Sequence, residues 1–157
     1  MGELLIKDGT IISHGEKFRA DVLVADGQIA GVGQDLTASA AAEVISAEGK
    51  YLSAGFIDIH THAAGPYWFY ENPKQAADVI LEHGVTTVLP VVYFSMNKEE
   101  FIKATSDIQE AVKKGEIPNF GGFYMEGPYM NPKFGADREN NPWQAPCNPA
   151  DYLDIIR

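Results

Sequence analysis

Apolar residues in the first third of the chain come in short runs that are separated by tight-turn dipeptides. Asp8-Gly9 and Asp26-Gly27 each stand between two such runs. Asp-Gly favours a two-residue hairpin turn, because both central positions of that turn need a positive φ. The pattern therefore predicts two hairpins. A third strand pair is predicted at Val44-Ile45 and Tyr51-Leu52, and residues 1–53 are interpreted as a β-rich, sandwich-type segment.

After Ala54-Gly55 the pattern changes to strands that alternate with amphipathic helices. Asn72-Pro73 supplies an N-cap and a proline at the first helical position. Asn97 and Glu100 have the spacing of a capping box. Such alternation indicates parallel β/α architecture. Strands are predicted at 56–62, 85–93 and 120–126, and helices from 73 to about 83 and from 98 to about 114.

The last residues repeat the helix-start signal of Asn72-Pro73. Asn148-Pro149 predicts a helix whose apolar positions continue to the end of the chain at Arg157, without a glycine stop or a following strand. An apolar helical face with nothing later to cover it is expected in a truncated chain. The alternative is a short C-terminal helix that docks on the sheet.

Charge and cysteine content narrow the class of protein. The formal net charge is −10, which disfavours binding to nucleic acid or to anionic membrane surfaces. Cys147 is the single cysteine and cannot form an internal disulfide, as expected in a reducing compartment. The N-terminus lacks the features of a signal peptide, and no run approaches the roughly 18 apolar residues of a membrane span. These features predict a cytoplasmic protein.

The strand predicted at 56–62 ends in Asp58-Ile59-His60-Thr61-His62. Alternate residues of a strand share a face, so His60 and His62 point the same way with Asp58 behind them. Two such imidazoles suit a divalent metal ion, and the carboxylate of Asp58 suits an outer-shell partner. The alternative is two loop-end histidines that pack or lie in solvent. In parallel β/α barrels, sites form at this edge of the sheet.

Glu126 stands at the corresponding end of the third predicted strand, before Gly127-Pro128. It shares a strand face with Tyr124. A carboxylate on the inner face of a barrel is costly unless it is paired or bound to metal. Glu126 is therefore expected to be paired with another group or bound to a metal ion. The alternative is an exposed acidic residue at a strand end.

Three sequence segments together resemble the amidohydrolase superfamily. They are GFIDIHTH, EHGVTTVLPVVY and GGFYMEGPYMNPKFGAD. The last of them is similar to the LEGP signature of the N-acetylglucosamine-6-phosphate deacetylases. The resemblance covers nearly the whole chain and implies the N-terminal part of a (β/α)8 TIM-barrel hydrolase, with about three βα units in residues 54–157. A complete barrel has eight strands in about 250 residues, so the resemblance implies an incomplete barrel.

The resemblance also implies a reaction and a ligand set. In the family, water activated by a divalent metal attacks an amide carbonyl, which deacetylates an N-acetylated amino sugar in the deacetylases. Glu126 matches the metal-ligating glutamate, and His60 with His62 match the histidine pair of two-metal relatives. One or two ions of zinc, iron, nickel or manganese are implied. The catalytic aspartate of the family is expected beyond residue 157, so this chain alone is expected to be inactive.

Two positions depart from the deacetylase pattern at the implied substrate pocket. Tyr124 replaces a histidine of the HLEGP form, and Asp137 replaces another histidine downstream. Trp68, in the aromatic run after the histidine pair, is a third pocket candidate as a wall for a sugar ring; the alternative is that this run packs the loop over the barrel mouth. The implied partner is a small molecule such as a phosphorylated amino sugar, and homo-oligomerisation stays open. The alternatives are a cyclic-amidase or dipeptidase-like enzyme, or a non-catalytic homologue or fragment.

Overall fold

The computed structural model describes residues 2–131 and 137–153. Its internal contacts divide the chain into two units, Met1–Ala54 and Gly55–Arg157. None of the helices in the described ranges has the length and apolar character needed to cross a membrane.

The first unit is one five-stranded sheet with its longest strand at the centre. Its strands are β1 (Glu3–Ser13), β2 (Glu16–Ala25), β3 (Gln28–Gly33), β4 (Glu43–Ser46) and β5 (Tyr51–Ser53). β2 pairs with β1 and β3 in antiparallel fashion, whereas β4 and β5 both run parallel to β1. Ile11, Ala20 and Val22 form the buried cluster of this sheet.

One of the two Asp-Gly predictions is confirmed and the other is wrong. Asp26 and Gly27, with φ of 51° and 79°, form the hairpin turn between β2 and β3. Asp8-Gly9 instead lies inside β1, where the register against β2 shifts. Asp8 has a φ of 62°, so the conformation that suits a hairpin turn produces a β-bulge here. The turn between β1 and β2 is His14-Gly15, with φ of 52° and 79°.

The predicted third strand pair is also wrong, because β4 and β5 pair with β1 rather than with each other. The turn between them lies against the bulge of β1. The Ala47 amide donates to the Lys7 carbonyl at 2.8 Å, and the Thr10 amide donates to the Lys50 carbonyl at 3.0 Å. A Cβ placed at Gly9 would lie 3.4 Å from the Ala47 Cβ, which is ordinary van der Waals contact. The bulge of β1 therefore faces this turn.

The second unit contains the predicted strand–helix alternation. Its strands are β6 (Phe56–Thr61), β7 (Ala63–Ala64), β8 (Tyr67–Trp68), β9 (Val85–Val92) and β10 (Tyr124–Met125), and its helices are α1 (Pro73–Glu82), α2 (Lys98–Lys113) and α3 (Pro149–Tyr152). β6, β9 and β10 form a parallel sheet in the order β10-β9-β6. β7 and β8 form a separate two-stranded antiparallel ribbon directly after β6.

The helix-start signals are confirmed at the positions where the sequence has them. Asn97 accepts a hydrogen bond from the Glu100 amide, and the Glu100 side chain accepts one from the Asn97 amide. α1 begins at Pro73, although the Asn72 side chain makes no cap bond. Both helices pack on the sheet through small and apolar residues, and the cluster is centred on Phe69, Ala76, Ala77, Val88 and Ile108.

The third predicted strand is shorter than expected. Regular pairing is limited to β10, with an isolated bridge between Phe120 and Val88. Gly122 interrupts the strand because its φ of 144° is outside the range of an extended strand. At Gly121 a Cβ would lie 2.7 Å from the Thr87 Cγ2, so the backbone approaches β9 more closely than a side chain allows. The helix predicted after Asn148 is present as α3, and its predicted continuation over 154–157 lies outside the described residues.

Candidate metal centre

Three side chains from two strand ends converge at one edge of the parallel sheet. His60 is the second-last residue of β6, His62 directly follows β6, and Glu126 directly follows β10. Parallel strands bring their carboxyl ends to the same edge. One ligand atom from each of these residues lies within 4.8 Å of the others. His62 Nε2 and Glu126 Oε2 lie 3.9 Å apart.

Backbone hydrogen bonds hold this edge in place. The Glu126 amide donates to the Val92 carbonyl at 3.1 Å, which ties the glutamate to the end of β9. The Asp58 Oδ1 accepts from the His60 amide at 3.0 Å. The carboxylate of Asp58 thus fixes the backbone that carries His60.

Two polar atoms of the cluster are buried without a partner among the described residues. They are the Nδ1 of His62 and the Oε2 of Glu126. A buried polar atom without a hydrogen bond costs free energy, and a buried carboxylate oxygen costs more. Two imidazoles and a carboxylate are donors that Zn²⁺ and related ions accept. The unpaired Glu126 Oε2, which lies 3.9 Å from His62 Nε2, and the type of donors therefore fit a divalent cation.

The electrostatics of His62 favour the form that binds metal. Burial lowers the pKa of His62, and the nearby His60 lowers it further, whereas the Glu126 carboxylate opposes both effects. The net result is an imidazole that stays neutral at neutral pH. Metal ions bind the neutral form of histidine.

Aromatic rings surround both imidazoles. The His60 ring lies 5.2 Å from the His62 ring and 4.5 Å from the Tyr124 ring, measured between centroids. The His62 ring contacts Tyr93 edge to face at 5.0 Å and lies 6.2 Å from Trp68. Edge-to-face packing at such separations is favourable between aromatic groups.

Comparison with known proteins shows to which family the chain belongs. No protein-family model matches the chain. Over 121 residues it is 33% identical to the dihydroorotase of Lactobacillus helveticus, which is 75% of this chain and 27% of that enzyme. The D-hydantoinase structure from Thermus sp. is 34% identical over 67% of this chain and 24% of its own, with a TM-score of 0.50. The chain belongs to the amidohydrolase superfamily.

The fold of this amidohydrolase chain matches another branch more completely. The N-acetylglucosamine-6-phosphate deacetylase of Pasteurella multocida has a TM-score of 0.75 with it, covering 98% of this chain and 42% of the deacetylase. The identity is 21%, so this likeness concerns the fold. The chain spans about a quarter of the length of the dihydroorotase it matches, and less than half of the deacetylase.

The structure brings two of the predicted pocket residues to the cluster of possible metal ligands. Tyr124 contacts His60, and Trp68 lies beside His62. Asp137 lies outside the group of possible metal ligands and lines a cavity of about 260 Å³ with Phe94, Tyr129, Arg138 and Trp143. Its carboxylate accepts hydrogen bonds from the amides of Glu139 and Asn140 and from the Asn140 side chain. The Asp137 carboxylate is therefore bonded within its own loop.

Tyr93 is a residue of this site that the sequence pattern did not predict. Tyr93 directly follows β9, and its ring contacts His62. It also packs against a buried cluster that includes Val92 and Phe101. The available signal was its position as the last residue of the apolar run at 85–93, because that position is at the same sheet edge as the histidines.

His83 is not one of the three clustered residues. Its Nδ1 hydrogen-bonds to the Val79 carbonyl of α1 at 2.8 Å.

Proposed function

We propose that His60, His62 and Glu126 hold a divalent metal ion, and that the intact protein containing these residues hydrolyses an amide C–N bond. The observation that carries the proposal is the convergence of one ligand atom from each of the three side chains within 4.8 Å, where the buried Glu126 Oε2 has no hydrogen-bond partner among the described residues. Membership of the amidohydrolase superfamily supports the same reaction class.

Each residue has a distinct part in this proposal. A bound divalent ion lowers the pKa of water toward about 7 and polarises the carbonyl of the substrate. Glu126 contributes the negative charge of the ligand set, and the two imidazoles contribute neutral donors. Asp58 acts on the site through the backbone of His60, since its carboxylate accepts from that amide. Zinc, iron, nickel and manganese all accept these donors.

For the substrate we propose an N-acetylated amino sugar such as N-acetylglucosamine 6-phosphate. The likeness in fold to the deacetylases over almost the whole chain supports this choice. Trp68 offers an aromatic face beside the cluster on which a sugar ring could stack. Tyr124 and Asp137 stay candidates for substrate contact, although both replace histidines of the deacetylase pattern. The proposed substrate is a small molecule.

A cyclic amide is the second candidate substrate, and a specific observation favours it. The dihydroorotase and the D-hydantoinase are 33% and 34% identical to this chain, whereas the deacetylase is 21% identical. His60 and His62, at the end of β6, also match the histidine pair of the two-metal members of the superfamily. Ring opening of such a substrate and deacetylation of a sugar both break an amide C–N bond.

The organisation of the chain enters the proposal as well. Residues 1–53 form a β-rich segment, and residues 54–157 provide the first βα units of a (β/α)8 barrel. The parallel order β10-β9-β6 with α1 and α2 as connections supports this assignment. The matched relatives are much longer than this chain, so residues 1–157 alone are expected to lack turnover.

The experiment is an assay of the intact, metal-loaded protein with three substrates. These are N-acetylglucosamine 6-phosphate, hydantoin and dihydroorotate, followed by acetate release or ring opening. One substrate class should be hydrolysed, and Glu126→Gln should lower kcat/KM by at least about a hundredfold, because it removes the charge of a metal ligand. Glu82→Gln, at an exposed helical position, is the matched control and should leave kcat/KM unchanged. Full activity of Glu126→Gln, or no hydrolysis of any of the three substrates, would contradict the proposal.

A further inference from the structure

Metal-ligating histidines need a second contact that fixes the orientation of the ring. That contact is usually a hydrogen bond from the non-ligating ring nitrogen to a carboxylate or a carbonyl. Here the His62 Nδ1 has no hydrogen-bond partner among the described residues. Asp58, the nearest carboxylate in sequence, bonds to the His60 backbone instead of an imidazole. The usual means of orientation is therefore missing for His62.

Aromatic side chains pack directly against both imidazoles. Tyr124 packs against His60 with a centroid distance of 4.5 Å and an interplanar angle of 60°. Tyr93 packs against His62 at 5.0 Å and 89°. The four rings form a continuous row, because His60 and His62 also contact each other at 5.2 Å. Each imidazole thus lies between two neighbouring rings.

Both tyrosines are attached to parts of the fold that hold them in place. Tyr124 is paired with Val91 in the parallel sheet, two residues before Glu126. Tyr93 directly follows β9 and packs on the buried cluster between the sheet and α2. Rings anchored in this way restrict the rotamers of the imidazoles that they contact.

We propose that Tyr93 and Tyr124 are positioning residues of the metal centre, whose rings orient His62 and His60 in place of outer-shell hydrogen bonds. This inference rests on the proposed metal site. It assigns the orienting role to the aromatic ring rather than to the phenolic hydroxyl, since the contacts are between rings. Phenylalanine should therefore replace either tyrosine, whereas aliphatic residues should not.

The test compares three substitutions at each position in the 157-residue chain, with Zn²⁺ and Co²⁺ as probes. Zn²⁺ affinity is measured by competition with a chromophoric chelator, and the Co²⁺ d–d absorption reports the coordination geometry. Tyr93→Phe and Tyr124→Phe should bind Zn²⁺ within about threefold of the unsubstituted chain. Tyr93→Ala and Tyr124→Ala should bind it about 10–100-fold more weakly, as the loss of an outer-shell partner does, and should change the Co²⁺ spectrum.

Leucine variants separate orientation from folding. Tyr93→Leu and Tyr124→Leu keep apolar volume, so they remain informative if an alanine variant does not fold, and they should lose affinity like alanine. Tyr51→Ala removes an exposed tyrosine of the first unit and is the matched control with unchanged binding. Alanine or leucine variants with the affinity and Co²⁺ spectrum of the unsubstituted chain would overturn the inference, as would phenylalanine variants as weak as alanine.

The two proposals fail in different ways in this experiment. If the unsubstituted chain binds no Zn²⁺, the metal site itself is wrong. If the chain binds Zn²⁺, and Glu126→Ala abolishes binding while the tyrosine variants do not weaken it, only the positioning role is wrong.

Discussion

Phe69 links the core of the second unit to the strand end that carries the histidines. Its side chain is fully buried, with 0% exposure, and it belongs to the cluster beneath α1. Its amide donates to the His62 carbonyl at 3.1 Å. Phe69→Ala should therefore lower the free energy of unfolding of this unit and loosen the segment after β6.

The structure gives the expected size of this effect and a control. Truncation of a fully buried phenylalanine to alanine costs about 3–5 kcal/mol, including the cavity that remains. Phe56 lies in β6 and is 67% exposed, so only a third of its surface is removed from water. Phe56→Ala should cost about 1 kcal/mol, since little apolar area is lost and no enclosed cavity forms. Phe69→Leu should cost less than about 1.5 kcal/mol, because it keeps most of the volume.

Urea unfolding followed by tryptophan fluorescence measures these differences. Trp68 and Trp143 are the two tryptophans, and both lie in the second unit, so the signal reports on that unit. With an m value of about 2 kcal/mol per M, Phe69→Ala should lower the midpoint by about 2 M and Phe56→Ala by about 0.5 M. Equal midpoint shifts for the two alanine variants would refute the packing assigned to Phe69.

Two further predictions concern the helix cap and the first unit. Asn97→Ala removes the capping box of α2 and should destabilise the second unit by about 1 kcal/mol, as measured by urea unfolding; an unchanged midpoint would contradict the cap. The amides of Asp8 and Leu36 donate to the Asp21 carboxylate and hold the pKa of Asp21 below its ordinary value of 3.8. Stability from this group is fully present above about pH 3.8 and is lost as the pH falls through the lower folded-state pKa. Asp21→Asn should therefore unfold more easily than the unsubstituted chain at pH 7, and the difference should shrink in denaturation experiments as the pH falls below 3.8; a difference independent of pH would contradict the role of the carboxylate.

The strands and helices of the second unit could be predicted because the local sequence signals agree with the tertiary structure there. The capping box at Asn97, the proline at Pro73 and the apolar run of β9 each have one favourable location. Period-two alternation placed His60, His62 and Glu126 on matching strand ends, and the structure brings them together. Their role as metal ligands stays a prediction.

The first unit was harder to predict because residues with a positive φ occur both in hairpin turns and in β-bulges. Asp-Gly accommodates both a hairpin turn and a β-bulge, and neighbouring strands decide between them. At Asp8-Gly9 the turn at Ala47–Lys50 lies against β1, which favours the bulge. The pairing of β4 with β1 joins segments far apart in sequence, so no local pattern predicts it. Tyr93 was missed for a similar reason, since its contact with His62 joins two strands.

The central claim is that His60, His62 and Glu126 form a metal site, and its most direct test is titration of the metal-free chain with Zn²⁺ and Co²⁺. We expect one tightly bound ion per chain, with affinity lowered at least about a hundredfold by His60→Ala, His62→Ala or Glu126→Ala, because each change removes a ligand atom. Replacement of His83, whose imidazole bonds within α1, should leave binding unchanged. Absence of stoichiometric binding, or equal binding after loss of all three side chains, would contradict the claim.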